Sequence, residues 1–262
     1  MKRILSILLC AALIPLASCG GDGDPLATLP GGVISALSGA EAPDATGADV
    51  SGVAISLQTE TLTPSNDLTA VLLYPALTGL SDTLDEKINT ALAARARAEF
   101  SSRIQPPDAM KEAGVRAVWE VTSARVSYLG DNLCSVISHA RAEYTIPDPD
   151  HGLPTMEDVC YAYSSFFNLS TGEEISPANV FSDFGAILDL LAGGTFTVSD
   201  GLPCANLGDL VAEARTNALH GVYPPAYLTE DSLVLVLFSN DGDAATEYSA
   251  PLVSLSQFLF TP

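Results

Sequence analysis

Hydrophobic and polar positions recur along this chain with two periods, and each period predicts a different element. Val53-Ala54-Ile55-Ser56-Leu57 and Leu68-Thr69-Ala70-Val71-Leu72-Leu73-Tyr74 predict two β-strands, the second ended by Pro75. Pro64-Ser65-Asn66-Asp67 between them is turn chemistry, since these residues preset or tolerate the dihedrals of a reversal. The period then changes. Leu84, Ile88, Leu92, Ala96, Phe100 and Ile104 recur every four residues through a segment rich in Ala and Arg, which predicts a long amphipathic helix. Thr83-x-x-Glu86 fits a capping box at its start, and Pro106-Pro107 cannot continue it.

Residues 116–129 and 133–146 read as strands around a Gly130-Asp131-Asn132 turn, whose residues support the positive φ of a tight hairpin. Residues 147–154 are a loop by composition, and 158–169 is the next strand of a meander, ended by Ser170-Thr171-Gly172. Ser176-Pro177 opens a helix carrying Val180, Phe184, Ile187, Leu188 and Leu191, with Ser as N-cap and Pro at the first helical position. A further helix over 207–220 stops at Gly221. Tyr227-Leu228-Thr229, 232–238 and 248–255 complete the strands, with an Asn240-Asp241-Gly242-Asp243 turn before the last. Hairpins outnumber βαβ units, so the expected class is α+β: a largely antiparallel sheet with one long and two shorter helices packed on it.

The first residues carry a different message. Lys2 and Arg3 precede an apolar run at residues 4–16, too short for the ~20 residues that span a bilayer, and Leu16-Ala17-Ser18-Cys19 follows as a lipobox. This predicts a lipoprotein signal peptide over 1–18, removed to leave Cys19 lipidated on its thiol. The protein is then expected at the cell membrane, held by its lipid anchor on the extracytoplasmic face. Residues 19–49 read as a flexible tether of Gly, Asp, Pro, Ala and Ser; about 29 such residues reach roughly 30 Å. The folded part is expected over 50–262, open to division into subdomains near 50–130 and 131–262.

Charge narrows the partners. The chain has 262 residues with 32 acidic against 11 basic side chains, a formal charge of −21, and loss of Lys2 and Arg3 makes it −23. A nucleic-acid partner is excluded, because affinity for phosphate depends on basic groups. Cys134, Cys160 and Cys204 remain in the folded part and allow one disulfide in three ways; Cys160 with Cys204 is the favoured pair, and buried thiols are the alternative.

Candidate chemistry is sparse. No G-x-S-x-G, H-E-x-x-H, P-loop or C-x-x-C pattern occurs, and His139, His151 and His220 stand far apart, so a catalytic group would have to be assembled by folding. A non-enzyme is expected, without cofactor or metal. Asp148, Asp150, His151, Glu157 and Asp158 offer oxygen and imidazole ligands, but the prolines around them already account for a solvated acidic loop. The long helix carries Lys87, Arg95, Arg97 and Arg103, either a ridge for carboxylate-bearing glycans or acidic peptides, or simply its wet face. Trp119 with Tyr128 is either a sugar platform or part of the core.

The order of several short motifs resembles the extracytoplasmic domains of unknown function in the anti-sigma factor RsiV and in front of the catalytic domain of the peptidoglycan deacetylase PdaC. The matching pieces are Tyr74-Pro75, Lys87-Ile88-Asn89, Ser135-Val136-Ile137-Ser138, Phe167-Asn168-Leu169-Ser170-Thr171-Gly172-Glu173-Glu174-Ile175, Val180-Phe181, Tyr227-Leu228-Thr229-Glu230-Asp231-Ser232-Leu233-Val234-Leu235 and Pro251-Leu252. They run over roughly 50–260. The family's Gly-Gly-x-His turn is replaced here by Asp150-His151-Gly152-Leu153-Pro154. The resemblance implies a binding or sensing module at the cell surface for a cationic protein such as lysozyme, or an accessory of cell-wall metabolism that contacts peptidoglycan or a partner enzyme.

Overall fold

The computed structural model describes residues 33–35, 52–104, 110–111, 113–130, 132–148, 152–238 and 244–258. Among them the chain forms two β-sheets and five α-helices, and the class is α+β as expected. The large sheet takes its seven strands in chain order: β1 Val33–Ser35, β2 Ala54–Ser65, β3 Leu68–Thr78, β4 Arg116–Gly130, β5 Leu133–Ile146, β6 Thr155–Asn168 and β7 Glu173–Ile175. Neighbours are antiparallel except β3 with β4, which run parallel and are joined by a crossover containing helix α1, Asp82–Arg103. The strand β1 comes from the stretch expected to be tether: Val33, Ile34 and Ser35 pair with Thr61, Glu60 and Thr59.

The helix α1 starts two residues before the expected capping box. Ser81 is its N-cap, accepting from the Leu84 N–H at 3.3 Å, and the Asp85 carboxylate reaches back to the N–H groups of Gly79 and Leu80 at 2.9 Å and 3.2 Å. Gly79 permits this with φ 106°, pressed so close to the Gly52 carbonyl that a Cβ would strike it. The four-residue period then does what it predicted: Ile88, Leu92, Ala96, Phe100 and Ile104 are buried against the large sheet. Each such side chain contributes roughly 1.5–3 kcal/mol when fully buried, Ala96 less.

Pro75 does not end β3, which runs on to Thr78. Beyond Val71 no residue of β4 pairs with β3, so the side of the strand that Pro75 and Leu77 share lacks a ladder there. A missing N–H costs nothing at such an edge. The Asn89 side chain of α1 replaces the absent strand, accepting from Leu77 N–H and donating to Leu77 C=O, both at 2.8 Å.

Within the β4–β5–β6 meander the turn residue Asn132 has φ 63°, as its position in the hairpin required, and β6 begins at Thr155, three residues before the expected start. The boundary considered at residues 130 and 131 falls on this hairpin turn, between strands paired along their length in one sheet. The strand β4 changes register between Val121 and Ser123 and again between Val126 and Tyr128. Each bulge resets the alternation, so Ala117, Trp119 and Val121, then Ala124 and Val126, then Leu129 all face α1.

The second sheet is antiparallel in the order β8 Thr197–Asp200, β11 Ala245–Pro251, β10 Ser232–Phe238, β9 Ala226–Leu228. The helix expected from Ser176 is divided: α2 Pro177–Val180 ends where Phe181 is extended, and α3 Phe184–Ala192 restarts after Asp183, whose carboxylate accepts from Ala186 N–H at 2.9 Å. Helix α4 covers Leu207–Ala218, and the last strand gives way at Pro251 to α5, Leu252–Leu255. Leu233, Leu235 and Leu237 of β10 pack with Ile187, Leu188 and Leu191 of α3 and Val211 of α4. Val234 and Val236 point the other way, onto Ile137 and Ala162 of the large sheet. The layers are therefore α1, large sheet, small sheet, then α3 with α4.

Candidate functional site

The basic side chains of α1, read as either a ridge or a wet face, are partly exposed and each pairs with a carboxylate of the chain itself. Arg97 donates from Nε to both Glu60 oxygens, at 3.1 Å and 3.0 Å, and from Nη2 to Oε2 at 2.8 Å. Arg95 and Arg103 hold Glu99 from either side along the helix, at 2.9 Å and 3.3 Å, and Arg103 lies over the Tyr161 ring. Lys87 donates to the Thr171 carbonyl and pairs with Glu173. Arg116, Arg141 and Arg215 likewise pair with Asp67, Glu120 and Asp189. At least seven of the nine basic residues beyond the expected signal peptide are thus in salt bridges with described carboxylates.

Trp119 is no sugar platform. It is fully buried beneath α1, with its ring 6.2 Å from Phe100 and 5.0 Å from Tyr161, and the bulges put Tyr128 on the opposite face of β4. The favoured disulfide is also corrected. Cys160 sits on β6 in register with Arg141, whereas Cys204 lies before α4, its N–H donating to Tyr248 Oη at 2.9 Å and its thiol to Thr246 Oγ1 at 3.6 Å. Cys160 belongs to the large sheet and Cys204 to the loop that packs against the small-sheet core, and the two are not joined. Cys19, Asp150 and His151 lie outside the described residues. Glu157 and Asp158 are consecutive on β6 and so point to opposite faces, and no group of three metal-binding side chains occurs among the described residues.

Folding does assemble polar side chains elsewhere, between the two sheets. The strand β9 presents its outer edge to the large sheet, and its Ala226 and Leu228 N–H groups donate to Ser164 Oγ at 3.1 Å and Ser135 Oγ at 3.0 Å. At the wetter end of this seam, Ser123 Oγ lies 3.2 Å from His139 Nδ1, and His139 Nε2 lies 3.1 Å from Glu247 Oε1. The other Glu247 oxygen accepts from Tyr227 Oη at 2.8 Å, and Arg125 Nη2 donates to the same phenol at 3.2 Å, its guanidinium over the ring. Ser123, Arg125 and His139 come from the large sheet; Tyr227 and Glu247 come from the small one.

Burial alone would raise the Glu247 carboxyl, but the hydrogen bonds from His139 and Tyr227 and the charges of His139 and Arg125 outweigh it, and the group is held below its ordinary value. Tyr227 moves the other way, raised first by burial and then by its bond to Glu247. An ionised carboxylate therefore orients an imidazole whose second nitrogen meets a solvent-facing hydroxyl. Of these residues the sequence singled out only His139. The two adjacent polar residues Thr122-Ser123 interrupt an otherwise alternating strand and are the one signal that could have located the bulge.

This defines the protein as an α+β fold of two stacked sheets flanked by helices, with a charged seam between the sheets. No helix among the described residues is long and apolar enough to cross a membrane. Among solved structures the chain is similar to a DUF3298-family protein from Bacteroides fragilis, at 13% identity and a TM-score of 0.45, over 79% of this chain and 93% of that one. It is also similar to a DUF3298-family protein from Pseudomonas aeruginosa, at 11% identity and a TM-score of 0.38, with the same two coverages. No protein-family model and no curated protein matches it.

Proposed function

We propose that this chain is a bacterial lipoprotein, anchored through Cys19 on the extracytoplasmic face of the cell membrane, that acts as a binding or sensing module for a cationic protein such as a lysozyme-like muramidase. The observation that supports this reading is the fate of the basic side chains. With at least seven of nine paired to carboxylates of the chain itself, few positive charges are left over to offset its acidic excess toward a partner. A surface of one sign raises the encounter rate with oppositely charged partners and disfavours anionic ones. The resemblance to the RsiV and PdaC domains supplies the class of partner, and the lipobox supplies the place.

The test is calorimetric titration of the chain from residue 20, which keeps β1, with a muramidase and with an unrelated protein of matched positive charge. At about 0.15 M salt, where the Debye length is about 8 Å, nonspecific long-range attraction is screened. Saturable binding to the muramidase alone is the expected result. Equal or absent binding to both proteins sinks the reading and leaves the cell-wall accessory role, with peptidoglycan fragments as the next titrant.

A further inference from the structure

We propose that Ser123, His139 and Glu247 form a nucleophilic relay that hydrolyses carboxylic esters, with Arg125 as the donor facing the oxyanion. This goes beyond the binding reading and rests on different residues. Ser123 and His139 are direct cross-strand partners, brought together where the bulge after Val121 changes the register of β4 against β5. Glu247 arrives from the other sheet and accepts from His139 Nε2–H, which leaves the Nδ1 lone pair facing the Ser123 hydroxyl. A serine, its base and a carboxylate that fixes the base are the parts of a triad, recognised by geometry rather than by spacing in the chain.

Two further features suit the role. Glu247 is doubly held, since Tyr227 takes its second oxygen, so the carboxylate cannot swing away from His139. Arg125 stands two residues after Ser123 on the same face of β4, about 7 Å along the strand, with its guanidinium steadied on Tyr227 and only one of its five N–H donors committed there. Ser123 itself is exposed, which suits a short acyl group presented on a larger carrier.

In the reaction Ser123 Oγ forms a bond to the ester carbonyl carbon while its proton passes to His139 Nδ1, and Arg125 meets the charge that develops on the carbonyl oxygen. Collapse breaks the bond to the alkoxy oxygen, which takes the proton from His139 and leaves as the alcohol. Water then attacks the acyl-serine, giving one proton to His139, which returns it to Ser123 Oγ as the carboxylic acid departs. Ester and water become acid and alcohol, with no redox partner required.

A fluorophosphonate probe applied to the chain from residue 20, followed by peptide mapping, tests the proposal. The expected result is an adduct on Ser123, lost in Ser123→Ala and His139→Ala, together with p-nitrophenyl acetate turnover that Ser123→Ala abolishes. Glu247 acts through His139 as a positioning residue; Glu247→Gln should lower turnover by on the order of 10²-fold or more and change its pH profile while the protein stays folded. No adduct on Ser123 in folded protein, or turnover unchanged in Ser123→Ala, overturns the proposal. Ser123 is an exposed strand residue, so its alanine variant keeps the fold, and circular dichroism checks this. Muramidase binding is measured separately, so either proposal can fail without the other.

Discussion

Arg97 of α1 grips Glu60 of β2 through two nitrogens, and Glu60 is only 4% exposed. The pair ties the helix to β2 of the large sheet and balances the charge of a carboxylate that water barely reaches. Removing one partner of a buried pair strands the other, at a cost of about 3–5 kcal/mol, and the lower end applies because Arg97 is one-third exposed. Arg97→Ala is therefore expected to lose about 3 kcal/mol in urea unfolding, and Glu60→Leu combined with Arg97→Leu to recover much of it. A loss below about 1 kcal/mol in the single variant would show the pair to be ornamental.

Asn89 serves as a one-residue strand for Leu77. Because both its amide groups are used, Asn89→Ala should cost about 1–2 kcal/mol, the net worth of two hydrogen bonds, with the Leu77 amide exchanging faster with deuterium. Asn89→Asp keeps the acceptor but loses the donor and should also destabilise.

Trp119 is the single tryptophan of the chain and is wholly buried. Its fluorescence is expected to be blue-shifted in the native protein and to move red in one step with unfolding. Trp119→Ala should cost about 3–5 kcal/mol by leaving a cavity against Phe100 and Tyr161. Native emission at the wavelength of solvated indole would contradict the packing of α1 on β4.

The thiols should divide by burial. Cys134 has no exposed surface, and burial pushes its thiol up to about 12, so iodoacetamide should modify it only after unfolding. Cys160 and Cys204 are partly exposed and should react in the native state. Mass spectrometry of native and denatured samples reads both; native protection of Cys160 and Cys204 by a mutual disulfide would overturn the assignment.

Stability should fall at both ends of the pH scale, for different reasons. Glu247 is held below its ordinary value, so the stability it lends is present above the unfolded carboxylate pKa and is lost as pH falls through the lower folded one. Glu247→Gln should flatten this acid limb. At the alkaline end, burial pushes the Tyr163 hydroxyl up to about 12, and Tyr227 is raised as well. Their contribution is whole below the unfolded value near 10 and is lost as pH rises through the folded ones, so thermal midpoints should decline from about pH 10 upward. A flat alkaline limb would show these phenols to be solvated.

The sequence by itself determined the elements whose signal is local. The four-residue period from Ile88 to Ile104, the hairpin turn at Asn132 and the uninterrupted apolar run at 233–238 each satisfy a nearest-neighbour requirement of a helix, a reversal or a buried strand, and each is where it was expected. Tertiary contacts decided the rest. Pro75 stays within a strand because no neighbour there needs an N–H, and Arg97 and Arg103 of α1 meet Glu60 and the Tyr161 ring, which lie far along the chain. Trp119 and Tyr128 take opposite faces because bulges reset the alternation between them. His139 meets Glu247 only because one sheet is laid over the other, a juxtaposition across 108 positions of chain that no periodicity encodes. Periodicity reports which face of an element is buried, while pairings between elements depend on register, bulges and layer stacking, which are settled by the free energy of the whole fold.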